Sequence, residues 1–247
     1  MKVVVIGGTG LIGARLVARL REHGHEAIAA SPASGVDTLT GEGLAEALNG
    51  AAVVVDVSNA RSSDAAGILN FFTTSTRNLL AAEAATGVRH HIVLSIVGTE
   101  RHQDSPYYYS KSAQERLIQS GPIPYTIIHA TQFFEFLQRL ADRATTGNVV
   151  RMSSALVQPI AADDVASMIE RIALAPPTNS VVEIAGPQEF RLDDVVRRRL
   201  AALGDRREVL GDAQTPYAGA ALQERTLLPG PRAQLAVTCF EDWVRRS

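Results

Sequence analysis

The chain has 247 residues, 46% of them hydrophobic, and 24 Lys and Arg against 26 Asp and Glu give a formal net charge of −2. That supports a full core in one large α/β domain, or one domain with a small annex, and leaves no broad basic surface for nucleic acid. A lone cysteine, Cys239, rules out an intrachain disulfide or cysteine-based zinc site, and the amino-terminal apolar run is too short for a signal or membrane span, so a cytoplasmic protein is expected.

Val3 to Ile6 reads as a buried strand running into Gly7-Gly8-Thr9-Gly10-Leu11-Ile12-Gly13, followed by a helical pattern of Leu11, Ile12, Leu16, Val17 and Leu20. A strand that turns through glycines into a helix gathers backbone amides and a positive helix end at one spot, which suits a pyrophosphate. Gly7 permits the tight turn, Gly10 admits the phosphates to the backbone, and Gly13 allows close helix packing. Gly24 stops the helix, and Ala27 to Ala30 reads as a second strand. An acidic residue that would take the adenosine ribose hydroxyls of NAD is missing after it, where Ala29-Ala30-Ser31 stand. The hydroxyls of Ser31 and Ser34 can instead donate to a 2′-phosphate, so NADP is the expected cofactor, with NAD as the alternative. Arg15 either assists at that phosphate or faces solvent. Asp37 and Thr38, just past an expected third strand, fall where adenine contacts belong, although an Asx turn explains the aspartate equally well.

Val53 to Val57 and His91 to Ser95 are continuous apolar runs of the kind a sheet covered on both faces demands, and Phe71 to Ala85 between them is helical, closed by Gly87. A helix from about Ser110 to Gln119, a break at Gly121-Pro122 and a strand at Tyr125 to Ile128 continue the alternation. The fold class is therefore α/β, a doubly wound, mostly parallel Rossmann-type sheet. Farther on, Phe133 to Ala144 reads as helix, and Asp163 or Asp164 caps another running through Leu174. Val181 to Ile184 is a strand and Leu192 to Leu203 a helix. The expected division is residues 1–150 for nucleotide binding and 151–247 for a smaller, interleaved α/β substrate-binding part. The stretch from Gly204 to Pro231 is expected to be the most mobile.

Chemistry concentrates in Tyr107-Tyr108-Tyr109-Ser110-Lys111. Tyr107 and Lys111, four apart on a helix, share a face, where the ammonium lowers the phenol's pKa and reaches a nicotinamide ribose. Tyr107 then serves as proton donor to a carbonyl that receives hydride, and Ser95, ending its strand in the ligand crevice, hydrogen-bonds the same oxygen. Tyr108 and Tyr109 lack the spacing and read as packing. His90 and His91 point to opposite faces of a strand, so no metal is expected. His129 ends a strand on the ligand side and either touches the cofactor or takes a backbone partner. Phe133 and Phe136 share a helix face, which leaves Phe134 to face the crevice.

The glycine loop, Ser95, Tyr107 with Lys111, the run Gly121 to Ile128 and the run Gln158 to Ala166 together resemble the NmrA-like branch of the atypical short-chain dehydrogenase/reductases, over most of residues 1 to 190. The resemblance implies a serine, tyrosine and lysine triad of Ser95, Tyr107 and Lys111. It also implies a nicotinamide ribose lined by Ser58, Asn59 and Ala60, and a nicotinamide and substrate site near Ala130, Thr131, Gln132, Phe133 and Phe134. The function expected is NADP-dependent carbonyl reduction or alcohol oxidation on a small, fairly apolar substrate, by a monomer or homodimer. Because members of this branch also bind the nucleotide without turnover, a nucleotide-sensing regulatory protein is the alternative. A nucleotide-sugar epimerase is disfavoured by the small part left after a Rossmann core.

Overall fold

In the computed structural model, which describes residues 1–246, the elements alternate as expected. In chain order they are β1 (Lys2–Ile6), α1 (Leu11–Glu22), β2 (Glu26–Ala30), α2 (Leu44–Leu48), β3 (Val53–Asp56), α3 (Ala65–Thr86), β4 (His90–Ile96), α4 (Pro106–Gln119) and β5 (Tyr125–Ala130). There follow α5 (Leu137–Arg143), β6 (Thr145–Thr146), β7 (Val149–Met152), β8 (Leu156–Val157), α6 (Ala162–Ala173), β9 (Ser180–Ala185), β10 (Phe190–Arg191), α7 (Leu192–Ala202), β11 (Glu208–Gly211), β12 (Gln234–Leu235) and α8 (Phe240–Arg246).

Seven strands form one parallel sheet in the order β12-β9-β5-β4-β3-β1-β2. Both faces are covered, so Val3, Val4 and Val5 are all fully buried. Alternate residues feed two cores: Val3 and Val5 meet α1 and α6, while Val4 and Ile6 meet α2 and α3. The strand order reverses about β1, with β2 on one side and β3 on the other, which opens a crevice at the carboxyl ends of β1 and β3. A second core, built by α5, α7, α8 and the short β10-β8 and β11-β7-β6 sheets, closes over the carboxyl end of β5. The chain then returns to the main sheet through α6, β9 and β12.

Several expected elements differ. Among the described residues no third strand lies between β2 and Asp37: Pro32–Ser34 form a 3₁₀ turn, and Gly35, Gly41 and Gly43 at φ +78°, +82° and +71° keep residues 31–43 irregular. The run at Val53 is thus the third strand, and Ser58, Asn59 and Ala60 follow it. The helix expected from Phe71 starts at Ala65, because the Asp64 carboxylate caps it through Gly67 N at 2.8 Å. The expected helix at Phe133 splits into a 3₁₀ turn, Phe134–Phe136, and α5, since Phe133 is extended and bridged to Ile160. Neither Asp163 nor Asp164 caps α6. Ala161 holds that place, Glu135 accepts from Ala162 N at 3.1 Å, and the aspartates fill the first turn, where Asp163 pairs with Arg15 at 2.7 Å. That ion pair, with a bond from Arg15 to Leu11 O, commits Arg15 to holding α1 against α6.

His90 and His91 open β4 and both are buried. Burial, helped by His91, pushes His90 down to about 4, and its Nε2 meets Thr126 Oγ1 at 2.9 Å. Burial also acts to lower His91, but the charge and the 2.7 Å hydrogen bond of Glu83, aided by Asp56, lift it above its ordinary 6.5. A raised folded pKa means this contribution is fully present below pH 6.5 and is lost as pH rises through the folded value. The urea midpoint should therefore decline as pH rises above 6.5, and Glu83→Gln should flatten that decline. An unchanged slope in the variant would assign the effect elsewhere.

Candidate active site

The glycine loop meets the demands of a dinucleotide cradle. Gly7, at φ +77°, and Gly8 donate their amides to Ala30 O at 2.9 and 3.3 Å, which ties the loop to the end of β2. A Cβ on Gly13 would stand 2.2 Å from Gly7 O, and one on Gly8 2.6 Å from Ala29 Cα, so strand, loop and helix are packed backbone to backbone. A Cβ on Gly10 would meet only Gly7 O, at 3.2 Å, leaving that side open to a ligand. Helix α1 has Gly10 at its N-cap, no side-chain cap and no acidic residue in its first turn, so the amides of Leu11, Ile12 and Gly13 face outward without a competing anion. Thr9 lies exposed at the tip of the loop. These residues fit a pyrophosphate.

At the end of β2 only one of the two expected phosphate donors is uncommitted. Ser34 Oγ accepts from Ser31 N at 2.9 Å and has Ala29 O and Ser31 O within 3.1 Å for its proton, whereas the buried Ser31 Oγ has no partner. Asp37 Oδ1 accepts from Leu39 N at 2.8 Å in an Asx turn, and Thr38 O accepts from Asn78 Nδ2 at 2.9 Å, which pins this loop to α3.

Beside the glycine loop, Asp56 ends β3 fully buried. One of its oxygens takes Ser58 N at 2.9 Å and the other takes Gln114 Nε2 at 3.0 Å. Ser58 backs directly on Gly7, with its Cα 3.0 Å from where a Cβ there would lie, and its hydroxyl is buried without a partner. Asn59 Oδ1 accepts from Ala60 N at 3.0 Å, and Asn59 stands near enough to the Tyr107 phenol to oppose the rise in its pKa, which brings the loop after β3 up to α4.

Helix α4 turns Lys111, Gln114 and Glu115 toward the strand ends, where they meet Leu94, Asp56 and Ser95. Tyr107 and Lys111 do share a face: the Tyr107 ring lies edge-on to Phe72 at 5.9 Å, and Lys111 Nζ stands 4.5 Å over the same ring. The expected coupling of their charges is absent. Burial pushes Tyr107 up to about 12, opposed only by Asn59, and the Lys111 ammonium turns to Leu94 O at 2.9 Å and Gln114 Oε1 at 2.5 Å. Burial draws Lys111 itself down to about 8, against the charges of Asp56 and Glu115. Ser95 is buried at the end of β4, and its hydroxyl donates to Glu115 Oε1, which also meets His129 Nε2 at 3.0 Å. His129 Nε2 thus meets a carboxylate, with Thr99 Oγ1 also at 3.4 Å, in place of the expected backbone partner. Burial acts to raise Glu115, but the His129 hydrogen bond and charge, then Ser95, hold it below the usual carboxylate value.

At the end of β5, Ala130 and Gln132 are buried, and neither polar atom of the Gln132 amide has a hydrogen-bond partner. Phe133 stacks on Phe136 at 5.5 Å, as their spacing predicts. Phe134 does not face the crevice: it is fully buried in the second core, 5.2 Å from the Trp243 ring and 5.6 Å from Phe240. The 3₁₀ turn that replaces regular helix redirects it toward α8. Asp56, Gln114, Glu115 and Tyr217 complete this region without having been read from the sequence. Gln114 and Glu115 fall three and four residues past Lys111, a signal that was available. Tyr217 arrives from 106 residues beyond Lys111 with no periodic pattern around it. It is held there by His102 Nε2 on its carbonyl at 3.0 Å and by Ser105 Oγ on Ala218 O at 2.6 Å.

A family model described as NAD(P)H-binding matches residues 7–176, which take in the glycine loop, Tyr107, Lys111 and the whole of α6. The chain belongs to this family. Among curated relatives, the photosystem II assembly factor Ycf39 of Cyanophora paradoxa is 23% identical over 216 residues, 80% of this chain and 67% of its own length. Ycf39 of Synechocystis is 26% identical over 151 residues, 56% of this chain and 46% of its own, so the chain spans less than half of that relative. Solved structures share the Rossmann-type fold. They include MoeE5 in complex with UDP-glucose and NAD, with a TM-score of 0.74, 17% identity and coverage of 99% of this chain and 96% of that one. A short-chain dehydrogenase/reductase superfamily protein from Agrobacterium tumefaciens with bound NAD reaches 0.72 at 16% identity, covering 100% and 95%. The members of this fold family therefore include NAD-bound proteins of the size of this chain. That also removes the size argument against a nucleotide-sugar substrate, because MoeE5 holds one on a chain nearly matched end to end.

Proposed function

We propose that this NAD(P)H-binding protein is an NADP-dependent oxidoreductase that reduces a carbonyl, or oxidises the corresponding alcohol, on a small substrate in the cytoplasm. The observation that carries the reading is Tyr107: it lies near Asn59, in the loop that backs on the glycine cradle, and it stands one helical turn from the buried Lys111. When bound, the reduced nicotinamide supplies hydride to the carbonyl carbon. Tyr107, protonated at neutral pH by its raised pKa, gives its phenolic proton to the carbonyl oxygen and regains one from solvent. Lys111 orients the nicotinamide ribose. Ser95, proposed as the polarising donor, turns its hydroxyl from Glu115 to the substrate oxygen for that step. Oxidation of NADPH by the purified protein across a panel of aldehydes and ketones tests the reading, and no turnover with any of them would overturn it.

The nucleotide preference follows from Ser31. A carboxylate there would repel a 2′-phosphate and accept from ribose hydroxyls, so Ser31→Asp is expected to weaken NADP binding by roughly tenfold or more while improving NAD binding. Fluorescence titration of the variant with both reduced coenzymes checks this, and an unchanged ratio would move the phosphate site elsewhere.

The names of the Ycf39 relatives favour a second reading, in which nucleotide occupancy controls a protein that acts through a protein partner. The two readings divide on turnover, since both require the bound nucleotide.

A further inference from the structure

A buried chain of hydrogen bonds runs from the loop behind the glycine cradle to Lys111. Asp56, at the end of β3, gives one carboxylate oxygen to Ser58 N at 2.9 Å and the other to Gln114 Nε2 at 3.0 Å. Gln114 Nε2 also stands 3.2 Å from Thr76 Oγ1 on α3, while Gln114 Oε1 accepts from Lys111 Nζ at 2.5 Å. Both polar atoms of this fully buried amide are therefore met. A carboxylate only accepts and an ammonium only donates, so a flipped amide would face repulsion at both ends and a single orientation is fixed. The other acceptor of the ammonium is Leu94 O at 2.9 Å, so both of its acceptors are uncharged. A buried lysine in that setting stands out in a chain whose 24 basic residues include no lysine but Lys2 and Lys111. Unlike a guanidinium, an ammonium can give up its proton.

We propose that Gln114 is a positioning residue: clamped by Asp56, its amide fixes where Lys111 presents its ammonium and ties the lysine to the loop that backs on Gly7. Two of the three ammonium hydrogens go to Leu94 O and Gln114 Oε1, which leaves one for a ribose hydroxyl. Without the Gln114 oxygen the ammonium loses a partner that favours its charged form, and it is free to turn about its last bonds. The amide also stands between the Asp56 carboxylate and the lysine, so that charge is felt across Gln114 and not as a direct ion pair. The titratable groups that face Lys111 are Asp56 from β3, His91 from β4, and Tyr107 and Glu115 from its own helix; α3 adds Glu83, which His91 engages at 2.7 Å. The substitutions below alter none of them. This inference rests on the oxidoreductase reading and adds to its site a residue that touches neither coenzyme nor substrate.

The test follows Lys111 by NMR in coenzyme-free protein carrying lysine labelled with ¹³C at Cε, where Lys2 and Lys111 give the only lysine signals and Lys2→Arg assigns them. In the parent the Lys111 signal should titrate at about pH 8. Gln114→Met, close in volume, removes the acceptor, and the midpoint is expected about one pH unit lower. Gln114→Glu keeps an oxygen toward the ammonium and adds negative charge, so the midpoint is expected about one pH unit higher. Opposite shifts from one position mark a contact with the ammonium, whereas loss of packing alone moves neither midpoint or both in the same direction. Unmoved midpoints, or shifts of the same sign, would overturn the proposal. If Gln114→Met does not fold, Gln114→Glu decides alone, a rise supporting the clamp and no rise overturning it. The alkaline fall in NADPH oxidation should move with the NMR midpoints, and a fall that stays in place in both variants would also overturn the proposal. Opposite NMR shifts in a protein that reduces no aldehyde or ketone would keep the clamp and remove the oxidoreductase reading.

Discussion

Gly13→Ala is expected to abolish dinucleotide binding and to destabilise the fold, because the added methyl would sit 2.2 Å from Gly7 O and 2.7 Å from Gly8 Cα, both backbone atoms. Neither can yield without moving β1 against α1, and overpacking of that kind costs about 1–3 kcal/mol or more. Gly10→Ala makes the instructive contrast. Its methyl meets only Gly7 O at 3.2 Å, so the unfolding free energy should stay within about 0.5 kcal/mol of the parent value, while the phosphates lose their approach. Denaturation and coenzyme titration of the two variants separate packing from binding. If Gly10→Ala binds NADPH as the parent does, the phosphates are not where this loop would hold them.

Tyr107→Phe should lower carbonyl reduction by about 10²–10⁴-fold while changing NADP affinity little, since the proposal gives the hydroxyl to the reacting oxygen and not to the phosphates. With Tyr107 pushed up to about 12 and Lys111 drawn down to about 8, the first alkaline loss of activity belongs to the lysine: its proton leaves as pH passes about 8, and the rate falls there. A rate that holds to pH 10 would contradict the part given to Lys111. Turnover that survives in the phenylalanine variant would remove Tyr107 from the chemistry.

Much of the fold was legible because a sheet covered on both faces writes itself as uninterrupted apolar runs. Val3 to Ile6, Val53 to Asp56 and His91 to Ser95 are of this kind, and each became a strand in a parallel sheet. Elements set by single contacts were harder to see. The start of α3 depends on the Asp64 cap and precedes its apolar pattern by several residues, and the irregular path of residues 31–43 depends on glycine dihedrals that do not show in hydropathy. In the site, spacing on one helix brought Tyr107 and Lys111 to the same face, yet spacing says nothing about where an ammonium points. Lys111 chose Leu94 O and Gln114 over the phenol, and Ser95 gave its proton to Glu115, because buried polar atoms take the nearest partner that satisfies them. Phe134 was misplaced for a related reason. Its direction follows from a 3₁₀ turn and from the aromatic residues of α8, more than a hundred positions later. Tyr217 had no legible signal, since only the folded path of a Gly- and Pro-bearing segment carries it to α4.

The central claim is that the amides after β1 hold the coenzyme's pyrophosphate so that its nicotinamide faces Tyr107. Titration of the purified protein with NADPH and NADH, read by nicotinamide fluorescence, tests it most directly. Saturable binding of NADPH, tighter than that of NADH and lost in Gly10→Ala, is the predicted result; no saturable change with either coenzyme, or equal binding by the glycine variant, would contradict it.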